Sequence, residues 1–334
     1  MYCLITTSFE NKISFVFKLK NSEATMYSTA RIGCVIMKCV PRSKVIYSFS
    51  SQNKPVERVK LGELVLLETE DAFGGQIENE ETSLDKLNWS RVDGATGPVF
   101  VEDAEQGDTL VVEILDIQVK EKGVIVTVPK YGILGEKRFN PSTKIVRINN
   151  GYIHFDENVR VRANPMIGTI GVAPESGEIP SGSLGKHGGN MDVKELTAGT
   201  RLYLPVFTEG ALFAAGDLHA VQADGELCVS SVEVAGEVLL RFSLIKGKKP
   251  EWPILETHDW HAFLACGDTL DEAAAFAAEA AVEAFMREYN WPFERAYMFG
   301  SLAINLEINQ VVDPKKGVRA VMSKDFISLD SLLT

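Results

Sequence analysis

The chain has 334 residues, with 34 Lys and Arg against 46 Asp and Glu and a formal net charge of -12. That balance excludes a general nucleic-acid surface or an anionic-membrane surface, because both need clustered cations. The partner it leaves is a small molecule or another protein, and the length suggests one to three domains of roughly 100 to 200 residues each.

Cys3, Cys34, Cys39, Cys228 and Cys266 make an odd set with no CxxC spacing. This argues against a disulfide framework or a zinc ribbon and for a reducing, cytoplasmic compartment. No apolar run reaches the roughly 18 to 20 residues of a membrane span, and MYCLITTSFENK has no basic start followed by a long apolar core. A soluble, unexported protein is expected.

Residues 1–36 hold short apolar pieces, ISFVF and IGCVIM, without a clear period or turn grammar. Ordered text begins at Met37, so the expectation is that the protein starts at Met37 or that residues 1–36 are a poorly matching, loosely attached extension, with a real extra strand or two as the other reading, and residues 37–334 form one unit. From there β-type runs follow one another: KVIYSF, ELVLLETED, TLVVEILDIQV, GVIVTVP, TKIVRI, YIHF, VRVRANP and RLYLPVF. Val, Ile, Leu and Tyr fill them, and Gly, Pro, Asp and Asn punctuate them every dozen residues or so. Short strands at that spacing predict a sandwich or barrel-like core.

The pattern changes near residue 268. DTLDEAAAFAAEAAVEAFMREYN is an Ala-rich amphipathic helix over 268–290, with Thr269 and Glu272 in capping-box spacing and Pro292 just beyond its end. Helical spacing of Ala296, Phe299, Ala303 and Leu306 predicts a second helix from Phe293 to about Ile308. The expected fold class is therefore α+β, mainly β, with C-terminal helices.

Five histidines can be weighed by their company. His154 lies inside a strand pattern and reads as a strand-face residue. His258 and His261, three apart in THDWHAF, lack a glycine-rich turn or further carboxylates beyond Asp259 and are read as structural. His187 lies in GKHGGNMD, where Gly185, Gly188 and Gly189 let backbone come close to an ion or substrate. His219 lies in AAGDLHAVQADGELC, where Asp217 and His219 project from one face of an extended strand. Asp224 and Glu226 repeat that spacing across Gly225, although Asp224 suits the turn itself.

Imidazole mixed with carboxylates suits zinc, manganese or iron, and zinc is the expected divalent ion. Turn or loop-capping roles for the same histidines are the other reading of the spacing. GxSxG is missing, and Cys228 and Cys266 have no obvious adjacent base, so water attack assisted by a metal is the simplest hydrolytic scheme.

Three longer strings sharpen this. GPVFVEDAEQGDTLVVEI, NPMIGTIGVAPESGEIPSGSLGKHGGNMD and GALFAAGDLHAVQADGELC, extended by EDAFGGQI and GKKPEWPILET, resemble the acetamidase/formamidase family from about Met37 to about Pro314. The resemblance implies a β-rich, homo-oligomeric amidohydrolase, expected as a dimer, that releases ammonia from short aliphatic amides at a metal site. Carried over residue by residue, it implies His187, Asp192, Asp217, His219 and Glu226 as metal ligands. It also implies Gln76 and Asn190 as substrate contacts and Glu102 or Asp71 as the carboxylate that relays a proton. Asp93-Gly94 precedes ATGP where a family member has Asn-Pro, which marks a loop beside the site and leaves substrate preference open. A metal-stabilised β-sandwich that binds a small ligand without turning it over is the alternative from a different class.

Overall fold

The structure, a computed structural model, describes residues 2–4 and 36–334. The expectation for residues 1–36 therefore lies outside the described residues, except at 2–4 and 36. Two large open sheets, of ten and twelve strands, frame the described residues. The first runs Tyr2–Leu4, Ile36–Val40, Leu64–Thr69, Gly236–Ile245, Thr109–Val119, Arg201–Pro205, Ile254–Glu256, Trp260–Gly267, Lys316–Ser323, Asn305–Gln310. Its pairings are antiparallel except for Ile36–Val40 against Leu64–Thr69.

Alternation explains how the sheets meet. Leu110, Val112 and Ile114 on one strand, Leu202 and Leu204 on the next, and Leu240 and Phe242 on a third stand two apart on one face of the first sheet and are buried, as are Val111 and Tyr203 on its other face. They share one apolar core with Val99, Val101, Ile167, Ile170, Phe213 and Ala215 of the second sheet. Phe213 and Phe242 meet edge to face across it, with ring centroids 4.9 Å apart.

The second sheet has twelve strands and carries the polar residues that matter here. Its Phe213–His219 strand pairs along one side with Met166–Gly171. Along the other side Ala95–Val101 pairs with it as far as Gly216, and Glu233–Val234 takes over at Leu218. Asp217 falls at that changeover with φ 53°, and both it and Gly168 opposite stand outside the paired register. The ladder is therefore interrupted where a carboxylate is turned inward.

Helix α1, Leu270–Tyr289, lays Ala273, Ala277, Ala281, Ala284 and Phe285 against the Trp260–Gly267 and Lys316–Ser323 strands. Thr269 Oγ1 accepts from Glu272 N at 3.2 Å, and Glu272 Oε2 accepts from Asp268 N at 2.6 Å. Thr269→Ala removes the first of these bonds and should destabilise the fold by about 1 kcal/mol, read from the denaturant midpoint. Asn290 ends the helix in the left-handed region at φ 49°.

Helix α2, Phe293–Ala303, is shorter than its spacing predicts. Ile304 is extended, and Asn305–Gln310 forms an edge strand on Lys316–Ser323. Leu306 thus belongs to a strand: pairing along a long neighbour outweighs a helical period that could be drawn through the same residues. No helix among the described residues is long and apolar enough to cross a membrane.

Candidate metal centre

A cavity of about 220 Å³ opens beside the interrupted ladder, with Asp192, Asp217, His219, Glu226 and Glu233 at its polar side and Phe73, Trp89 and Tyr131 among its apolar lining. Strand pairing sets His219 directly across from Glu233. Asp192 follows the Gly188–Asn190 strand, and Glu226 follows the Gly225 turn. Asp192, Asp217 and Glu226 all hold positive φ, at 47°, 53° and 37°. Non-glycine residues in that region are strained, and such strain gathers at functional sites.

His219 is the centre of the arrangement. Its Nε2 lies 3.1 Å from Glu233 Oε2, 3.4 Å from Asp217 Oδ1 and 3.9 Å from Asp192 Oδ1. None of those three oxygens makes a hydrogen bond, and Asp192 Oδ2 makes none either. These contacts are therefore charge contacts without hydrogen-bond geometry. On the far side of the ring Nδ1 stands 2.8 Å from Gln222 Oε1. Gln222 Nε2 donates to the carbonyls of Asp192 and Asn309 at 2.7 and 3.3 Å, which fixes the amide's orientation and makes Nδ1 the donor.

Burial of so many carboxylates moves their pKa values. Burial pushes Asp192 up to about 7 and Glu233 up to about 8 although the His219 charge pulls both down. Burial also raises Glu226, Asp93 and Asp313 well above the carboxylate range, with neighbouring carboxylates adding to it. Asp217 is lowered, because the His219 charge and the Thr169 hydroxyl outweigh its burial. For His219, burial is outweighed by Glu233 and Asp217, which raise it well above the usual imidazole value. The cluster on its own holds protons to limit its negative charge, and protons are what a bound cation displaces.

Two sets of ligand atoms lie within 4.8 Å of one another: Asp192, His219 and Glu226, and Asp217, His219 and Glu233. These residues fit a divalent ion on four grounds. The donors are imidazole and carboxylate, they are buried, several oxygens lack partners, and the remaining ring nitrogen of His219 is oriented by an amide as metal-ligating histidines are. Gly168 leaves the necessary space: a Cβ there would stand 2.7 Å from both Asp192 Oδ1 and Asp217 Oδ2.

The residues singled out in the sequence separate into those in the cavity and those outside it. Asp192, Asp217, His219, Glu226 and Asn190 line it. Asn190 Oδ1 accepts from Thr169 Oγ1 at 2.7 Å, and its Nδ2 donates to Asp313 Oδ2 at 3.1 Å. His187 is buried elsewhere, edge to face with Phe49 at 5.1 Å, and belongs to neither ligand set. Burial and the charge of Lys315 lower it to about 4, so its ring is neutral. The glycines around it serve a tight hairpin and its packing on the next strand, since a Cβ on Gly189 would stand 2.1 Å from the Ser183 carbonyl oxygen and one on Gly188 2.4 Å from that of Ile170.

Asp71 caps its own turn, accepting from Gly75 N at 3.1 Å. Gln76 ties two loops, donating to the Phe73 carbonyl at 2.8 Å and accepting from Asn88 N at 2.8 Å. Those loops bring Phe73 and Trp89 to the cavity, but neither Asp71 nor Gln76 lines it. Glu102 follows the end of the Ala95–Val101 strand, is half-buried, and also lies outside the cavity lining. Because it lies outside the lining, Glu102→Gln should change the rate of any reaction in this cavity by no more than about twofold; a hundredfold loss in steady-state rate would return the relay role to it.

Three residues of the cavity escape sequence reasoning. Glu233 and Asp313 stand in VEV and VDP with nothing local to mark them, and Glu233 is found only through its pairing with His219. Asp93 had one signal, its place before Gly94 in an altered loop. It faces Gly182, where a Cβ would stand 2.3 Å from Asp93 Oδ2.

Two open sheets packed on one apolar core, the second bearing a buried histidine–carboxylate cluster, define a β-rich protein with a candidate metal centre. The sequence model of the acetamidase/formamidase family matches residues 49–183 and 178–323, and the chain belongs to that family. A crystal structure of a predicted acetamidase/formamidase from Thermoanaerobacter tengcongensis superposes with a TM-score of 0.85 at 42% identity, covering 89% of this chain and 98% of that one. An acetamidase from Bacillus halodurans also gives 0.85, at 37% identity, over 88% of this chain and 99% of that one. A formamidase of Methylophilus methylotrophus is 28% identical over 251 residues, 57% of this chain. The chain spans 61% of the length of that curated relative.

Proposed function

We propose that this protein is a metal-dependent amidohydrolase that converts short aliphatic amides and water to carboxylate and ammonia. The observation that carries the reading is the pair of buried ligand sets sharing His219 at the cavity, in a chain whose relatives include proteins named formamidase and acetamidase. Asp192, His219 and Glu226 would hold the ion, for which zinc is our choice. A divalent ion in that place supplies positive charge for the developing oxyanion and acidifies water beside it.

The chain's own groups do the rest. Glu233 Oε1 is anchored by Ser231 N at 2.7 Å, which leaves Oε2, without a hydrogen bond, toward the cavity. An anchored carboxylate whose other oxygen makes no hydrogen bond, although it stands 3.1 Å from His219 Nε2, suits a relay that takes a proton from the attacking water and delivers it to the departing nitrogen, a role worth about 10² to 10⁴ in rate. Thr169 restrains Asp217 Oδ2 at 3.4 Å, so Asp217 supports the His219 ring. Asn190 and Asp93 are our candidates for contacts to the amide, with Asp93 accepting from its N–H groups. Phe73, Trp89 and Tyr131 limit water around the acyl end.

We further propose a cytoplasmic homo-oligomer, with a dimer as the smallest form. Free thiols at Cys228 and Cys266 support the compartment, and exposed Phe293, Tyr297, Met298 and Leu302 on α2 support association. Ammonia release measured across formamide, acetamide, propionamide and urea tests the function. Turnover of the aliphatic amides is the expected result, and an inert protein with full metal content would leave only ligand binding.

A further inference from the structure

Arg319 is fully buried on the Lys316–Ser323 strand and lies outside the cavity lining. Its Nη2 reaches Glu307 Oε2 at 2.5 Å, Asp224 Oδ1 at 2.8 Å and Glu195 Oε1 at 3.3 Å. Its Nη1 donates to Asn309 Oδ1 at 3.0 Å. A buried guanidinium with this many partners is usually structural, but the identity of the partners points further.

Asp224 begins the Gly225 turn that delivers Glu226, and Gly225 N donates to the Asn309 carbonyl at 2.9 Å. The same carbonyl accepts from Gln222 Nε2, the amide that orients His219 and holds the Asp192 backbone. One guanidinium thus grips both the turn carrying one ligand and the residue whose carbonyl fixes the amide behind the other two. We propose that Arg319 is a positioning residue for the Asp192, His219 and Glu226 set, acting through Asp224 and Asn309. The inference rests on the metal reading above.

Arginine suits this work because its planar fork presents donors in two directions at once, whereas a lysine offers a single point of charge. Arg319→Lys keeps the charge and loses the span between Asp224 and Asn309. Asp224→Asn is the gentler change: Asp224 is partly exposed, and Arg319 keeps Glu307 and Glu195. If Arg319→Lys does not fold, Asp224→Asn carries the test alone.

Zinc ion is titrated into metal-free full-length protein against a chromophoric chelator, with the thermal midpoint recorded for each variant. The proposal expects zinc affinity to fall by about 10 to 100-fold in either folded variant, the range for losing a group that orients a ligand. A variant that melts earlier yet binds zinc within about twofold of wild type assigns Arg319 to stability alone and overturns the proposal. Wild-type protein that binds no zinc overturns the metal reading and this inference together.

Discussion

His219→Ala should yield a folded chain that has lost its metal and its turnover. His219 is the one residue common to both ligand sets, so no three-ligand group of the described residues survives its removal. The carboxylates left behind hold protons in place of charge, because burial already pushes Asp192 and Glu233 up to about 7 and 8. The fold therefore tolerates the change better than a stranded ion pair would. Amide turnover should fall by more than about 100-fold, the upper end for losing a group that merely supports a ligand. Metal content, circular dichroism and steady-state rate on one preparation check all three parts. His187→Ala is the contrasting variant: His187 packs on Phe49 outside both sets, and its loss should cost about 2 kcal/mol of packing while metal content stays at the wild-type level.

Gly168→Ala should have the next largest effect. The added methyl would stand 2.7 Å from Asp192 Oδ1, 2.7 Å from Asp217 Oδ2 and 2.9 Å from the Asp217 carbonyl oxygen. Contacts that short do not persist, so a carboxylate swings away or the backbone shifts. Overpacking costs about 1 to 3 kcal/mol, and a displacement of about 1 Å at a reacting geometry costs about 10²-fold in rate. Turnover should fall by that factor and zinc affinity should weaken with it, measured by steady-state rate and zinc titration. Wild-type values for both would mean that Asp192 and Asp217 need not stand where the structure has them.

Local chemistry made much of the fold legible. TLVVEILDIQV is the strand Thr109–Val119 because Leu110, Val112 and Ile114, two apart, reach one core only from an extended backbone. The Ala-rich run is α1 because Thr269 caps it and Asn290 ends it. Asp217 and His219 fall on one strand, as their spacing allows, although Asp217 leaves the extended conformation there. What stayed hidden depends on long-range pairing. Glu233 enters the site only because the register sets it opposite His219, and no local pattern encodes a register fourteen residues away. The end of α2 was hidden for the same reason, since Asn305–Gln310 answers to its partner strand and not to its own period. His187, surrounded by glycines, suggests a site from sequence; in the structure those glycines let a hairpin close beneath a neutral ring.

The central claim is that amide hydrolysis here depends on a divalent ion held by Asp192, His219 and Glu226. The most direct test strips the protein with a chelator and measures ammonia release from formamide and acetamide before and after one equivalent of zinc is returned. The claim predicts a loss of more than about 100-fold on stripping and recovery on reloading, in line with what a metal supplies to oxyanion and water. A metal-free chain with undiminished turnover, or a fully loaded chain that releases ammonia from neither amide, would contradict it.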